Sequence, residues 1–231
     1  MSIHSIADID IEIIGTLRFL RILREDYKSD NSEADLSMVI PEEFNGSISD
    51  EQIELKRTWI LREISNNLFR FNSALLHSAC FDVEGVGVAF AAHSGTGKTT
   101  HMNLWQKLLG DRMIVVNGDK PIVRFFDDEP ETPYAYGTPW NGKEGLGCNM
   151  RTTLKHICFI ERSETNFVEK IEKTDAIERI VKQVYMPKDP IAVMKTMELI
   201  DRLLSCCNLW KIHCNMEDEA AEVAYNTIFG E

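Results

Sequence analysis

Hydrophobic positions change their period as this 231-residue chain proceeds. Residues Ile3 to Ile14 alternate polar and apolar side chains (Asp8-Ile9-Asp10-Ile11-Glu12-Ile13), the two-residue repeat of a half-buried strand. The polar, acidic run Asp26 to Asp35 reads as a surface loop, and Pro41 to Gly46 as a second break. Ser49 or Asp50 would cap a helix reaching about Phe71, since Ile53, Ile60, Ile64, Leu68 and Phe71 lie near helical spacing. Then the runs shorten. Ala74 to Val83 and Val86 to Ala91 flank Glu84-Gly85, the pattern of a β-hairpin. A helix-like stretch spans Thr99 to Leu109, and a buried strand, Met113 to Val116, ends in Asn117-Gly118-Asp119. Pro121 to Phe126 and Pro133 to Tyr136 bracket the acidic tip Asp127 to Glu131 in another hairpin-like unit.

A loop of special residues, Gly137 to Cys148, follows, and Lys155 to Ile160 predicts one more strand. Period alone predicts helices over Thr174 to Tyr185, Pro190 to Cys206 and Glu217 to Phe229, with a strand at Leu209 to His213 between the last two. There is no internal repeat and no low-complexity linker. The pattern is α/β, with a smaller α+β segment over residues 1–72 and a core domain over 73–231.

Charge and composition narrow the partners. The formal net charge of −12 argues against a nucleic-acid partner, because no basic stripe is present. It leaves nucleotide binding open, since one lysine and a set of backbone dipoles override the global sign locally. The six cysteines (Cys80, Cys148, Cys158, Cys206, Cys207 and Cys214) form no C-x-x-C pair, and several sit in apolar stretches and read as reduced core residues. No basic leader opens the chain and no apolar run approaches the ~20 residues needed to span a bilayer, so a cytoplasmic protein without a membrane partner is expected. Oligomeric state is left open, a homo-oligomer included.

The segment Ala92 to Thr100, AHSGTGKTT, is the most informative in the chain. It lies between an apolar strand pattern and a helical one. A strand, a glycine turn and a helix in that order surround a phosphate with backbone N–H groups at the helix N-terminus. Lys98 would reach the terminal phosphates and the Thr99 hydroxyl would ligate magnesium. Ser94, Gly95, Thr96, Gly97 and Thr100 complete the candidate phosphate cradle. The first glycine of the usual G-x-x-x-x-G-K-[ST] pattern is replaced by Ala92, which is tolerable only if that residue keeps φ below zero.

The longer segment LHSACFDVEGVGVAFAAHSGTGKTT resembles the part of HPr kinase/phosphorylase in which a histidine opens a strand pair and a phosphate loop closes it. SGTGKTT also resembles the nucleotide loop of ATP-dependent phosphoenolpyruvate carboxykinase. The resemblance runs from about Leu75 to Arg162, through the Asn117-Gly118-Asp119 turn and the GTPWNGK loop, and leaves residues 1–72 unexplained. It is similar in particular to small bacterial HPr-kinase-related proteins. It implies a P-loop core on a mixed sheet, ATP and Mg²⁺ as cofactors, and transfer of the γ-phosphoryl group to a hydroxyl of a protein, a peptide or a small molecule. It also implies that His77 lies near the transferred group, that Asp119 stands on the metal side with Thr99, and that a second acid acts as general base. That second acid is absent: Gly118 stands where it is expected. The alternative is therefore a nucleotide-binding sensor or scaffold with weakened catalysis. True carboxykinase activity is disfavoured, because the chain is short for a separate substrate domain.

Other residues weigh less. Lys143, in Trp140-Asn141-Gly142-Lys143, is a candidate for facing the phosphates or the acceptor, against a solvated loop lysine. Arg162, at a predicted strand end, is a candidate nucleotide contact. Asn149 and Arg151 close the special loop, and Arg151 reads as a surface ion pair more readily than as an arginine finger. Trp105 reads as a core anchor, and the Asp127 to Glu131 cluster as a solvated hairpin tip.

Overall fold

The computed structural model describes residues 2–15, 23, 25–42 and 50–230, with the side chains of 50–52 left aside. The fold is mixed α/β. A three-stranded sheet combines β1 (Ser2–Ile6), β2 (Ile9–Ile14) and β3 (Leu36–Val39), with β1 antiparallel and β3 parallel to β2. After helix α1 (Asp50–Asn67) comes the nine-stranded mixed sheet. In chain order its strands are β4 (Ser73–Leu75), β5 (Ser78–Val83), β6 (Val86–Ala91), β7 (Met113–Asn117), β8 (Ile122–Arg124), β9 (Tyr134–Tyr136), β10 (Arg151–Arg162), β11 (Phe167–Lys170) and β12 (Asn208–Cys214). Across the sheet the order runs β4-β8-β9-β10-β6-β5-β7, with β12 pairing β10 and β11. The remaining helices are α2 (Lys98–Leu109), α3 (Lys173–Val181), α4 (Pro190–Cys206) and α5 (Asp218–Phe229).

Two clusters of buried side chains cover the faces of the large sheet. Trp105 of α2 is fully buried, with its ring against Phe81, Phe90, Tyr225 and Phe229. This joins α2 and α5 over one face, and the expected anchor role follows from those contacts. The opposite face buries Leu154, Ile157 and Phe159 beneath Ala176, Ile180, Ile200 and Leu203 of α3 and α4. A third cluster packs Ile9, Ile11 and Ile13 of β2 with Ile60 and Ile64 of α1 and with Ile122, Tyr136 and Trp140. The small sheet thus rests on the β8–β9 end of the large one.

Several expectations need correction. The alternation over Ile3 to Ile14 is two strands, not one, because the chain reverses at Ala7-Asp8 with φ of 58° and 56°. Neither residue is glycine or asparagine, so the left-handed backbone depends on outside support. Arg124 Nη1 supplies it by donating to Ala7 O at 2.6 Å and Asp8 O at 2.9 Å. The run Ala74 to Val83 is likewise broken: β4 pairs β8, β5 pairs β6 and β7, and the switch falls at Leu76-His77. Helix α3 stops at Val181 rather than Tyr185, since the chain turns to give Leu76 and Val184 an isolated bridge. The strands β3 and β11 have no counterpart in the sequence reading, being only 4 residues long each. The helical period before Phe71 is α1 followed by a 3-10 turn, Leu68–Phe71. The Ser49 or Asp50 cap, and most of the Pro41 to Gly46 break, lie outside the described residues.

Candidate functional site

The turn between β6 and α2 sits at the C-terminal end of β6, beside the end of the parallel strand β10 and the start of the antiparallel β5. Its shape depends on glycine. Gly95 and Gly97 have φ of 78° and 121°, a region L side chains rarely adopt. Ala92 is absent from the non-glycine residues at positive φ, so the missing first glycine is tolerated as its backbone requires. One amide of the turn is used internally, Thr96 N donating to His93 O at 3.2 Å. The first helical bond of α2 is His101 N to Gly97 O, so the amides of Lys98, Thr99 and Thr100 precede the i→i−4 ladder. No side chain caps this end.

Lys98 is buried, and its Nζ donates to Ala92 O at 2.7 Å, curling over the turn. Burial lowers its pKa; Asp119 opposes the change and Lys120 adds to it. Asp119 therefore shares the same electrostatic neighbourhood. Asp119 Oδ1 stands 3.2 Å from His77 Nε2 and 3.4 Å from Lys120 Nζ. Burial is the largest influence on this carboxyl and pushes its pKa up. The hydrogen bonds and charges of His77 and Lys120 together outweigh it, holding the pKa below the ordinary value.

The backbone holds both partners in place. Asn117 is fully buried and its side-chain oxygen accepts from Asp119 N at 2.9 Å and Lys120 N at 2.7 Å, fixing the turn after β7. Its amide donates to the Thr138 hydroxyl and carbonyl, each at 3.1 Å. His77, between β4 and β5, donates its backbone N–H to Gln183 O at 2.7 Å and leaves its ring half-buried.

Gly118 is enclosed. A Cβ there would stand 3.1 Å from Asn141 O and 3.3 Å from Leu146 O, and Gly118 N donates to Leu146 O at 2.9 Å. The loop from Asn141 to Leu146 thus occupies the space a side chain at this position would need. Lys143 is exposed on this loop, next to Gly142, whose added Cβ would lie 3.2 Å from Asp119 Cβ. Arg162 reaches the glycine turn itself, its guanidinium donating to Gly95 O and, at 3.3 Å, to Thr96 O.

The other candidates lie elsewhere. Arg151 donates to the Tyr136 hydroxyl at 3.1 Å and stands 3.4 Å from Asp8 Oδ2, an ion pair against the small sheet. Asn149 donates to Asp26 O. Asp127 accepts from Asn72 and Glu129 from the Tyr134 hydroxyl, as solvated tip residues do. All six cysteines are free thiols, and no helix among the described residues is long and apolar enough to cross a membrane.

Two clefts flank the turn, and Thr96, Ile160 and Arg162 border both. The larger, about 900 Å³, runs past His93, Arg179 and Gln183. The smaller, about 370 Å³, opens between Gly97, His101 and Met216. Sequence reasoning did not single out His101 or Gln183. For His101 a signal existed: a polar ring within the apolar set Met102, Trp105 and Leu109.

No protein-family model matches the chain, and no curated protein does. Among solved structures the chain is similar to the HPr(Ser) kinase/phosphatase from Coxiella burnetii. The identity is 10%, the TM-score 0.33, and the match covers 68% of this chain and 97% of that one. So loose a likeness carries no argument about this chain's chemistry.

Proposed function

We propose that the chain is a P-loop phosphotransferase that binds ATP with Mg²⁺ and passes the γ-phosphoryl group to a hydroxyl. The observation that supports this reading is the uncapped first turn of α2, whose leading amides and buried Lys98 converge beside the Asp119–His77 pair. Amides ahead of the helical ladder and the positive end of the helix dipole favour an anion, and the lysine adds a point charge. Ser94 to Thr100 would hold the phosphates, and Arg162 would brace the turn from behind through its carbonyls.

The donor set suits magnesium. Thr99 offers a hydroxyl and Asp119 a carboxylate kept ionised by its neighbours, both hard oxygen ligands. When bound, the ion would neutralise phosphate charge. His77 would take or relay the acceptor proton, with Asp119 orienting its ring. The hydroxyl of a protein, peptide or small molecule would enter along the larger cleft, which ends at Gln183 beside His77. Lys143 would face the phosphates from the Asn141–Leu146 loop. The 73–231 part would form the catalytic unit and residues 1–72 a smaller segment seated against it.

A second reading, a nucleotide-binding sensor or scaffold, draws on one observation: loop carbonyls fill the place of a general base at Gly118. General-base loss slows such chemistry by about 10²- to 10⁴-fold without removing the binding site. Calorimetry with Mg-ATP tests what both readings share; no heat of binding rejects both. Transfer from γ-labelled ATP to serine peptides and small alcohols separates them. His77→Ala should cut transfer far more than ATP affinity, whereas equal losses in both would remove its catalytic role. Gly118→Asp should not restore activity, because its carboxylate would press against two carbonyls. A faster variant would show that the missing acid alone limits the rate.

A further inference from the structure

His101 is polar where its surroundings call for an apolar residue. It closes the first turn of α2, is 2% exposed, and has its ring 5.0 Å from Phe90 and 6.5 Å from Trp105. Neither ring nitrogen has a hydrogen-bond partner among the described residues. A neutral imidazole carries one donor and one acceptor, and neither is used here. A leucine would fill the same core position without leaving two polar atoms unpaired.

The same residue lines the smaller cleft, where Asn215 and Arg162 are already committed. Asn215 accepts from Glu217 N at 3.0 Å and donates its backbone N–H to Asn166 at 3.0 Å. Arg162 is bound to the turn carbonyls. Ile160 and Cys214 contribute apolar surface, and Met216, 78% exposed, stands at the rim with the adaptable thioether that aromatic rings favour. A volume of about 370 Å³ is room for a nucleoside rather than a peptide. The cleft starts at Gly97 and Thr100, on the leading turn of α2 where the phosphate chain would lie.

We infer that this cleft receives the base of the nucleotide, of purine size, and that a nitrogen of His101 hydrogen-bonds the base edge and so sets nucleotide preference. The inference rests on the phosphate-binding reading of the turn and adds to it which residue distinguishes a nucleotide from bare polyphosphate. His101 would be a recognition residue, with no part in the transfer itself.

The test compares three ligands on the full chain with Mg²⁺ present: ATP, GTP and inorganic tripolyphosphate. The expected result is tighter binding of at least one purine nucleotide than of tripolyphosphate, by about tenfold or more. His101→Leu should remove most of that difference and leave tripolyphosphate affinity unchanged. Equal binding of all three by the unsubstituted protein overturns the base cleft while the phosphate site stands. Equal losses for nucleotide and tripolyphosphate in His101→Leu also overturn it, since the ring would then serve only packing. Absence of any binding rejects the phosphate site and the cleft with it. Should His101→Leu fail to fold, the ¹⁵N shifts of the imidazole in the unsubstituted protein decide. They should move with ATP or GTP and not with tripolyphosphate, and unmoved shifts overturn the assignment.

Discussion

Among the turns of this protein that hold left-handed backbone, two are stabilised in opposite ways. At Ala7-Asp8 ordinary side chains adopt φ near +57°, and the surroundings grip the turn. Arg124 donates to both carbonyls, and the Asp8 carboxylate accepts from the Tyr136 hydroxyl at 2.5 Å and pairs with Arg151. At Gly95 and Gly97 the conformation comes from glycine itself, and an added Cβ would meet nothing within 4 Å at either position. The first turn is filled because its purpose is to seat a small sheet on a large one. The second is open on the side where helix amides emerge. Gly85 and Gly145 share this open space, so what sets the glycine turn apart is the uncapped start of α2 and the buried Lys98 beside it.

Substitutions on the open turn should strike binding and spare the fold. Lys98→Ala removes the only buried cation beside the turn amides among the described residues, and a loss of ATP affinity of about 100-fold or more is expected. Thermal unfolding should shift little, because the ammonium bonds only loop carbonyls. Retention of ATP affinity in Lys98→Ala would erase the contrast. Gly97→Val, at φ of 121°, should act in the same direction through the backbone, read by the same calorimetry.

Acid should reveal the interior behind the open turn. Burial lowers the pKa of His101 to about 4, and burial, with smaller effects from Lys155 and Lys170, does the same for His156. The unfolded chain protonates these rings near pH 6.5. Between pH about 6.5 and about 4 it therefore binds more protons than the native state, and stability should fall as pH drops through that window. For His101 alone the loss is about 3 kcal/mol. Urea unfolding at pH 7.5, 5.5 and 4.5 would show it, and His101→Leu should flatten part of the slope.

The gripped turn should respond in stability alone. Arg124→Ala deletes two charge-assisted bonds and a stack on Phe126, for an expected loss of about 2 kcal/mol with ATP affinity unchanged. A fall in affinity of similar size would mean that the two turns are coupled. Ala7→Gly should give the smallest effect, a gain of up to about 1 kcal/mol as the left-handed strain is relieved, offset in part by the freedom glycine has when unfolded. Differential scanning calorimetry of the two variants side by side would rank them.

These turns also differ in how far sequence discloses them. Gly95 and Gly97 announce left-handed backbone by residue type, and their flanks change period from two to 3.6, so strand, turn and helix are all legible. Ala7-Asp8 announces nothing, because the stabilising Arg124 lies 117 positions away in the chain. Uninterrupted alternation therefore reads as one strand where two exist. The hairpin at Glu84-Gly85 and the helices α2, α4 and α5 are legible to within a residue or two, as each has a local signal. The meeting of His77 with Asp119 has no local signal and is expected only through the family resemblance, since it depends on strands β5 and β7 pairing across a helix. Nor does the sequence disclose that the Asn141–Leu146 loop closes on Gly118, which only the backbone path reveals.

Strand β10 runs from one end of the molecule's contacts to the other. Its 12 residues extend about 40 Å. Arg151 at one end fastens it to the hairpin of the small sheet, and Arg162 at the other fastens it to the glycine turn. A single register irregularity, between Leu154 and His156 against β6, interrupts an otherwise continuous ladder. The small sheet and the turn that borders both clefts are thus attached to opposite ends of one and the same strand.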